Sequence, residues 1–403
     1  MSDWFLTLRH EQLRKQVRAF AETEVAPHVQ RMETSGQVER EVAAKIAAQG
    51  WIGATIDPVY GGMGAGHLAK TLIIEELSRI CAAMGAMVQA SQLGVAKVIR
   101  YGTEEQKRRW LPRFAAGTCL PTIAVTEPGS GSHVPGMETT AVRDGDHYVL
   151  TGRKVYVGNS HIADVHGVVA RTGAGSRGLT AFLVEADRPG ATIPPHPETL
   201  GLHGFGFGEL RLDQCRIPAA NRLGREGDGL DVAYSSSVLY GRPNLTAVAL
   251  GLHQAIAEQV AGFATDRNRY GRPLHELPTV RHKIGQIHSR LMTARLAAYH
   301  SAHLLDAGQP CDIELMNAKL IGVEWAMDSA RTAMEIHAAA GLFTDRPIER
   351  YLRDAYHLFA PAGTSDIQLL RLGEAALGLG KGQWSAPVST LVEGGHDPAG
   401  ARR

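Results

Sequence analysis

Residues 126–133 read TEPGSGSH, with Gly129 and Gly131 alternating with Ser130 and Ser132 and His133 directly after them. Two chemistries could use such a run. One is a serine nucleophile with the imidazole as its base. The other is a loop whose backbone N–H groups converge on a phosphate. A nucleophile elbow needs the spacing G-x-S-x-G, and only one residue separates Gly129 from Gly131, so the first is excluded. Glycines free the backbone to turn its N–H groups into one concavity, and the Ser132 hydroxyl adds a donor. That arrangement suits a pyrophosphate.

Other motifs are weaker. GAGSRG at 173–178 satisfies G-x-G-x-x-G, but it lies between two β-prone runs rather than ahead of a helix, and reads as a hairpin loop. No G-x-x-x-x-G-K-[ST] and no H-E-x-x-H occurs. His300 and His303 stand one helical turn apart and read as a solvated face, so no metal site is expected.

The elements that must position the glycine-rich loop fall into three blocks. Leu13, Val17, Phe20 and Val25 in 11–33, and Leu68, Leu72, Leu77, Ile80 and Met84 in 67–100, recur at helical spacing around the Gly-rich loop DPVYGGMGAG. From Pro121 the pattern changes. An Asp144–Gly145 turn lies between two β-prone runs, and short strands continue in VHGVVART, LTAFLVEAD and GELRLDQCRIP. From 228 the helical period returns, with Ile284, Ile287, Leu291 and Ala298 on one long helix and a second ending at Gly341. The spacing predicts an α+β chain: a helical domain over 1–119, an antiparallel β domain over 120–225 and a helical bundle over 226–385. A loose tail after Trp384 follows at 386–403.

The 403 residues suffice for more than one domain, and 42 Lys plus Arg against 41 Asp plus Glu leave no field to attract nucleic acid or an anionic membrane. Cys81, Cys119, Cys215 and Cys311 form no C-x-x-C pair and are expected to be reduced thiols. The N-terminal stretch mixes charges without a long apolar run, and no segment approaches the roughly 20 apolar residues that span a bilayer. A soluble cytoplasmic protein without a signal peptide is expected.

AVTEPGSGS followed by LTGRKVYVGN resembles the paired signature of the acyl-CoA dehydrogenase superfamily, as do RNRYGRPL at 267–274 and RDAYHLFAPAGTSDIQ at 353–368. The resemblance spans about 10–380. It implies an N-terminal helical domain, a middle β domain and a C-terminal four-helix bundle, with FAD (or FMN in its place) between the last two. By motif match, Val125 and Thr126 would hydrogen-bond the flavin ring, and Gly131 and Ser132 would hold the pyrophosphate. Tyr156 and Gly158 stand where the family has a tryptophan and a threonine. Arg267, Tyr270, Glu335 and Ala339 would reach the FAD of a partner subunit in a homodimer or homotetramer. Thr364 and Asp366 would meet the cofactor near its ribityl and phosphate end. The family reaction takes the Cα proton of an acyl-CoA or acyl-carrier-protein thioester to a carboxylate while hydride leaves Cβ for the flavin. The electron acceptor is left open.

This sequence departs from the pattern at the base. The usual glutamate position is Ala362, which retains a backbone N–H, and the alternative position, just before an arginine, is Gly241. Both are vacant. His133 stands where the family has aspartate, and Gly158 lacks the usual hydroxyl. Glu335 would set a carboxylate beside a pyrophosphate. His133, Tyr240 and Asp345 are the polar residues left as candidate replacement bases. Three readings remain: an acyl-thioester dehydrogenase whose base is displaced or absent, a flavin monooxygenase on the same fold, and a catalytically silent subunit or binding protein.

Overall fold

The computed structural model describes residues 4–380 and 382–386. Six helices come first: α1 (Leu8–Phe20), α2 (Val29–Ser35), α3 (Arg40–Ala47), α4 (Gly66–Ile80), α5 (Ala82–Tyr101) and α6 (Glu104–Ala115). The helical period over 67–100 is interrupted once. Cys81 takes an extended conformation (φ −147°, ψ 105°), ends α4 and lets α5 restart in a new direction. Thr103 caps α6 by accepting from the Gln106 N–H, while the Gln106 side chain accepts from the Thr103 N–H.

Eight strands follow: β1 (Pro121–Ala124), β2 (Thr140–Asp144), β3 (His147–Gly158), β4 (Val165–Arg171), β5 (Leu179–Glu185), β6 (Ala191–Thr192), β7 (Phe207–Pro218) and β8 (Arg222–Leu223). They form one sheet in the order β6-β7-β3-β2-β4-β5-β8, with β1 added beside β4. The expected turn joins β2 to β3, with Asp144 opposite His147 and Gly145 at φ 58°. GAGSRG lies between β4 and β5, as a hairpin loop should. The sheet is not wholly antiparallel, as the sequence had suggested. β1 runs parallel to β4 from Pro121↔Val165 to Ala124↔Val168, and Thr140 of β2 pairs Arg171 of β4 in the same sense. A strand that leads into a long loop before the next hairpin has no tight turn to force antiparallel pairing.

The remaining chain is helical: α7 (Gly229–Ser236), α8 (Arg242–Asp266), α9 (Pro278–Asp306), α10 (Asp312–His337), α11 (Ile348–His357) and α12 (Ser365–Ala376). A small hairpin, β9 (Asn268–Arg269) with β10 (Arg272–Pro273), separates α8 from α9. α8 is the axis of the packing and touches α4, α5, α9, α10 and α11. Gly251 lets α4 approach closely, since a Cβ there would stand 2.2 Å from the Glu75 carbonyl oxygen. α10 ends at His337, four residues before the expected Gly341, where Ala338 turns to φ 51°.

Trp384 and Ser385 are tied to the start of α10. Asp312 accepts from their backbone N–H groups at 2.8 and 2.9 Å, and the Ser385 hydroxyl accepts from the Cys311 N–H. Of the expected tail at 386–403, residues 387–403 lie outside the described residues. The four cysteines are buried and free. No described helix is long and apolar enough to cross a membrane, and no cluster of metal-ligating side chains occurs among the described residues.

Candidate active site

The TEPGSGSH loop leaves the end of β1 and is shaped by a buried ion pair. Glu127 and Ser130 exchange backbone hydrogen bonds at 3.0 and 3.1 Å, which closes a tight turn. The Glu127 carboxylate accepts from the Glu138 and Thr139 N–H groups and from Lys154 Nζ at 2.7 Å. Lys154 also donates to the Val125 carbonyl. Burial works against both charges. It drives the Lys154 ammonium down to about 8, whereas Lys154 and the amides hold Glu127 below the usual carboxylate range despite its burial.

The pyrophosphate cradle fits this geometry. Among the described residues, no hydrogen bond engages the backbone N–H of Gly131, Ser132 or His133. A Cβ added at Gly129 or Gly131 would meet nothing within 4 Å, so the space beside this backbone is free for a ligand. Ser130 is buried and donates to the His133 carbonyl at 2.7 Å, a structural bond rather than a nucleophile's.

Tyr156 lies on β3 at φ 56° with its ring 66% exposed, backed by Phe207 and then Phe205 in a stacked row. A side chain at Gly158 would be crowded, its Cβ standing 3.0 Å from both Ala90 Cβ and the edge of the Phe205 ring. Val125 and Thr126 are half-buried beside β3, where Val155 N–H donates to the Thr126 carbonyl.

Arg267 and Tyr270 face outward, Tyr270 with 90% of its surface exposed at the tip of the β9–β10 hairpin. Arg267 lines a cleft with Phe263, Asp266, Ala340 and Arg346, which adjoins the exposed Ala339. Glu335 proves less awkward than the sequence suggested. Lys283 Nζ lies 2.7 Å from its carboxylate and Arg331 at 3.6 Å, and the lysine holds it below the usual range. Thr364 caps α12 by accepting from the Ile367 N–H, and Asp366 is exposed in the first turn.

Gly241 and Ala362, the two positions where the resemblance would place a carboxylate base, converge. Between α7 and α8, Ser237–Gly241 forms a wide π turn, a local defect that often re-aims a residue at a functional site. Pro243 accounts for it. Its ring cannot donate and clashes with the carbonyl four residues back, that of Leu239, which accepts from Lys70 Nζ at 3.4 Å instead. Gly241 thereby faces Ala362, whose Cβ lies 3.1 Å from where a Gly241 Cβ would stand, with Ser237 Oγ and Leu93 close by. Ala362 sits at φ 56°, followed by Gly363 at φ 96°. Among the described residues, no hydrogen bond engages the Ala362 N–H.

The polar candidates for a replacement base do not gather there. Tyr240 is buried, its hydroxyl donates to Thr55 Oγ1 at 3.0 Å, and burial pushes it up to about 12. His133 and Asp345 are exposed, and among the described residues no hydrogen bond joins either to Gly241 or Ala362. Sequence reasoning missed Lys319, which holds the Ala362 loop, and Lys70, which is fully buried against the Tyr240 ring. A lysine on the apolar face of a helical repeat is the only signal either leaves.

Comparison with known proteins places the chain in a family. Three family models match in order: the acyl-CoA dehydrogenase N-terminal domain at residues 7–118, the middle domain at 122–215 and the C-terminal domain at 227–377. An acyl-CoA dehydrogenase of Bacillus subtilis is 35% identical over 376 residues, covering 93% of this chain and 99% of that one. The prolyl acyl carrier protein oxidase AnaB superposes with a TM-score of 0.87 at 30% identity, covering 92% of this chain and 99% of the other. A glutaryl-CoA dehydrogenase of Mycobacterium smegmatis, solved with FADH2, gives 0.88 at 29% identity, over 93% and 96% of the two chains. With three ordered domain matches and a relative of 35% identity along nearly its whole length, the chain belongs to the acyl-CoA dehydrogenase family.

Proposed function

We propose that this protein is an FAD-dependent oxidoreductase that binds an acyl thioester, on CoA or on a carrier protein, and oxidises it between Cα and Cβ without a carboxylate at either position 241 or 362. The free Ala362 N–H on a pinned, left-handed loop carries the reading. A donor so placed polarises a thioester carbonyl and acidifies the Cα–H bond, and it needs no side chain. Support for FAD comes from the unengaged N–H groups at 131–133, the open space at Gly129 and Gly131, and the likeness to a relative solved with FADH2. The oxidase AnaB supports keeping a carrier-protein thioester beside CoA.

In this reading Val125, Thr126, Gly131, Ser132, Tyr156, Thr364 and Asp366 line the cofactor site of their own subunit. Arg267, Tyr270, Glu335 and Ala339 complete that of a second copy in a cytoplasmic homo-oligomer. When bound, FAD supplies the hydride acceptor, and the chain's own task is to bind, orient and polarise the substrate. The Cα proton leaves to a base that the acyl group itself brings or that is displaced from the two usual positions.

Two measurements test this: the flavin content of the purified protein, and anaerobic titration with acyl-CoA and acyl-carrier-protein thioesters. Bleaching of the flavin band by a thioester is expected. The vacancy at 241 and 362 also favours a second reading, a flavin monooxygenase, which needs no α-proton base. Oxygen consumption that depends on an added flavin reductant, with no bleaching by thioesters, would replace the first reading with that one. A protein that neither retains nor takes up FAD or FMN would leave a silent subunit.

A further inference from the structure

Lys319 lies in the middle of α10 with no exposed surface. Its Nζ donates to the carbonyl oxygens of Phe359 at 2.7 Å and Gly363 at 2.8 Å, so its bonds go to main chain rather than to a carboxylate. Gln368, on α12, donates through Nε2 to the carbonyls of Ala362 at 3.0 Å and Gly363 at 3.1 Å. Two buried side chains from two helices therefore take three of the carbonyls between 359 and 363.

That loop needs holding. Ala362 and Gly363 are both left-handed, a conformation that a non-glycine residue keeps only when its surroundings fix it. With its carbonyl taken, the N–H is the one polar group Ala362 has left to offer. Burial pushes the Lys319 ammonium down to about 8. A neutral amine still carries two N–H bonds for two carbonyls, so the clamp survives either protonation state.

We propose that Lys319 is a positioning residue: by fixing the carbonyls of Phe359 and Gly363 it aims the Ala362 N–H at the substrate's thioester oxygen, so that carbonyl polarisation persists where the carboxylate has been lost. This rests on the thioester reading above. The bland alternative is that Lys319 merely ties α10 to the loop and leaves the direction of the N–H unaffected.

The two separate in a spectrum. A cinnamoyl-CoA carrying a para-amino donor shifts to the red when its carbonyl is polarised, and the shift is read on the holoenzyme without turnover. The wild-type protein is expected to shift the bound chromophore. Lys319→Met is expected to bind it with most of the shift lost, and Lys319→Arg, which keeps donors, to recover part of it. An equal red shift in wild type and Lys319→Met would overturn the positioning role while leaving the thioester reading standing. A wild-type protein that binds the probe without any shift would sink both. Should Lys319→Met fail to fold, Gln368→Met removes the companion bonds on the same loop. It is expected to lose part of the shift, and an undiminished shift there overturns the proposal.

Discussion

A Cβ placed on Gly241 would stand 3.1 Å from the Cβ of Ala362, so the two positions at which a carboxylate base could be carried face the same point from opposite elements. One belongs to the π turn before α8 and the other to the loop before α12. A carboxylate from either side would fill the shared space, and two could not. Here both are trimmed to the smallest residues, and the walls that remain, Leu93 and Ser237, carry no charge.

The asymmetry between them makes a first prediction. Ala362 already holds a left-handed backbone with a Cβ, so Ala362→Glu adds a side chain without new backbone strain. Positioned general-base catalysis contributes about 10²–10⁴-fold. Ala362→Glu is expected to raise the rate of anaerobic flavin reduction by an acyl-CoA within that range, and to speed exchange of the Cα hydrogen with deuterated solvent. Gly241→Glu is expected to gain nothing and to lower the unfolding temperature, because its Cβ presses on a loop that Lys319 and Gln368 hold in place. An Ala362→Glu protein no faster than wild type would mean that the substrate does not enter this space.

Tyr240 makes a sharper test of whether a base has simply moved. Burial raises its phenol to about 12, and the hydroxyl is already donating to Thr55. A group so weakly acidic is neutral at ordinary pH and poor at accepting a proton in that state. Tyr240→Phe is expected to cost about 1 kcal/mol of stability for the lost hydrogen bond and to leave flavin reduction by thioesters within a factor of two. A loss of about a hundredfold in that rate, with the fold intact by circular dichroism, would return Tyr240 to the chemistry.

What the sequence shows and hides in these elements has physical causes. The helix–β–helix order, the Asp144–Gly145 turn and the status of GAGSRG as a hairpin loop follow from local periodicity and turn chemistry, which act over a few residues. The π turn does not, although Pro243 is its visible cause in hindsight, because a proline near a helix start is ordinarily harmless. The parallel pairing of β1 with β4 joins residues some 40 positions apart, and no short-range pattern specifies it. The same holds for side-chain partners. Glu335 looked electrostatically awkward in sequence because Lys283, which neutralises it, is 52 residues away on α9. Lys319 reads as an ordinary helical lysine until its bonds to Phe359 and Gly363 are seen. That neither Gly241 nor Ala362 carries a carboxylate is read directly from the sequence, whereas the approach of the two positions to each other is not.

The Glu127–Lys154 pair should govern the 126–133 loop, which is proposed above to hold the cofactor. Lys154 is wholly buried and Glu127 nearly so, which makes their pairing a condition of the fold at this point. Removing one partner from a buried pair typically costs about 3–5 kcal/mol because the other charge is stranded. Lys154→Met is expected to destabilise by that order and to release flavin during purification, since the turn at Glu127–Ser130 and the 131–133 N–H groups depend on Glu127. The double variant Lys154→Met, Glu127→Gln is expected to recover part of the stability, which denaturant midpoints would read. Equal midpoints for the single and double variants would show that the stranded charge is not the cause.

Lys70 makes a prediction about pH whose sign follows from its burial. Its Nζ lies 2.9 Å from His67 Nδ1 and 4.2 Å from the centre of the Tyr240 ring, and burial lowers it from 10.5 to about 7. Between those values the unfolded chain binds a proton that the folded chain does not. Stability must therefore rise with pH across the window, and the cost of burying the ammonium is fully present only below about 7. A single such group contributes a slope of up to about 1.4 kcal/mol per pH unit. Lys97, also buried and lowered to about 7, and Lys154 and Lys319, lowered to about 8, add slopes of the same sign, so one replacement removes only a share. Lys70→Met is expected to flatten the rise in unfolding midpoint between about pH 7 and pH 9 by that share, and to gain most at the acid end. His67 loses a partner in this variant, which offsets part of the gain at every pH but does not change the slope, because burial already keeps that imidazole neutral in the window. Midpoint curves for wild type and Lys70→Met that run parallel would show that Lys70 stays charged in the fold, with a counter-charge strong enough to offset its burial.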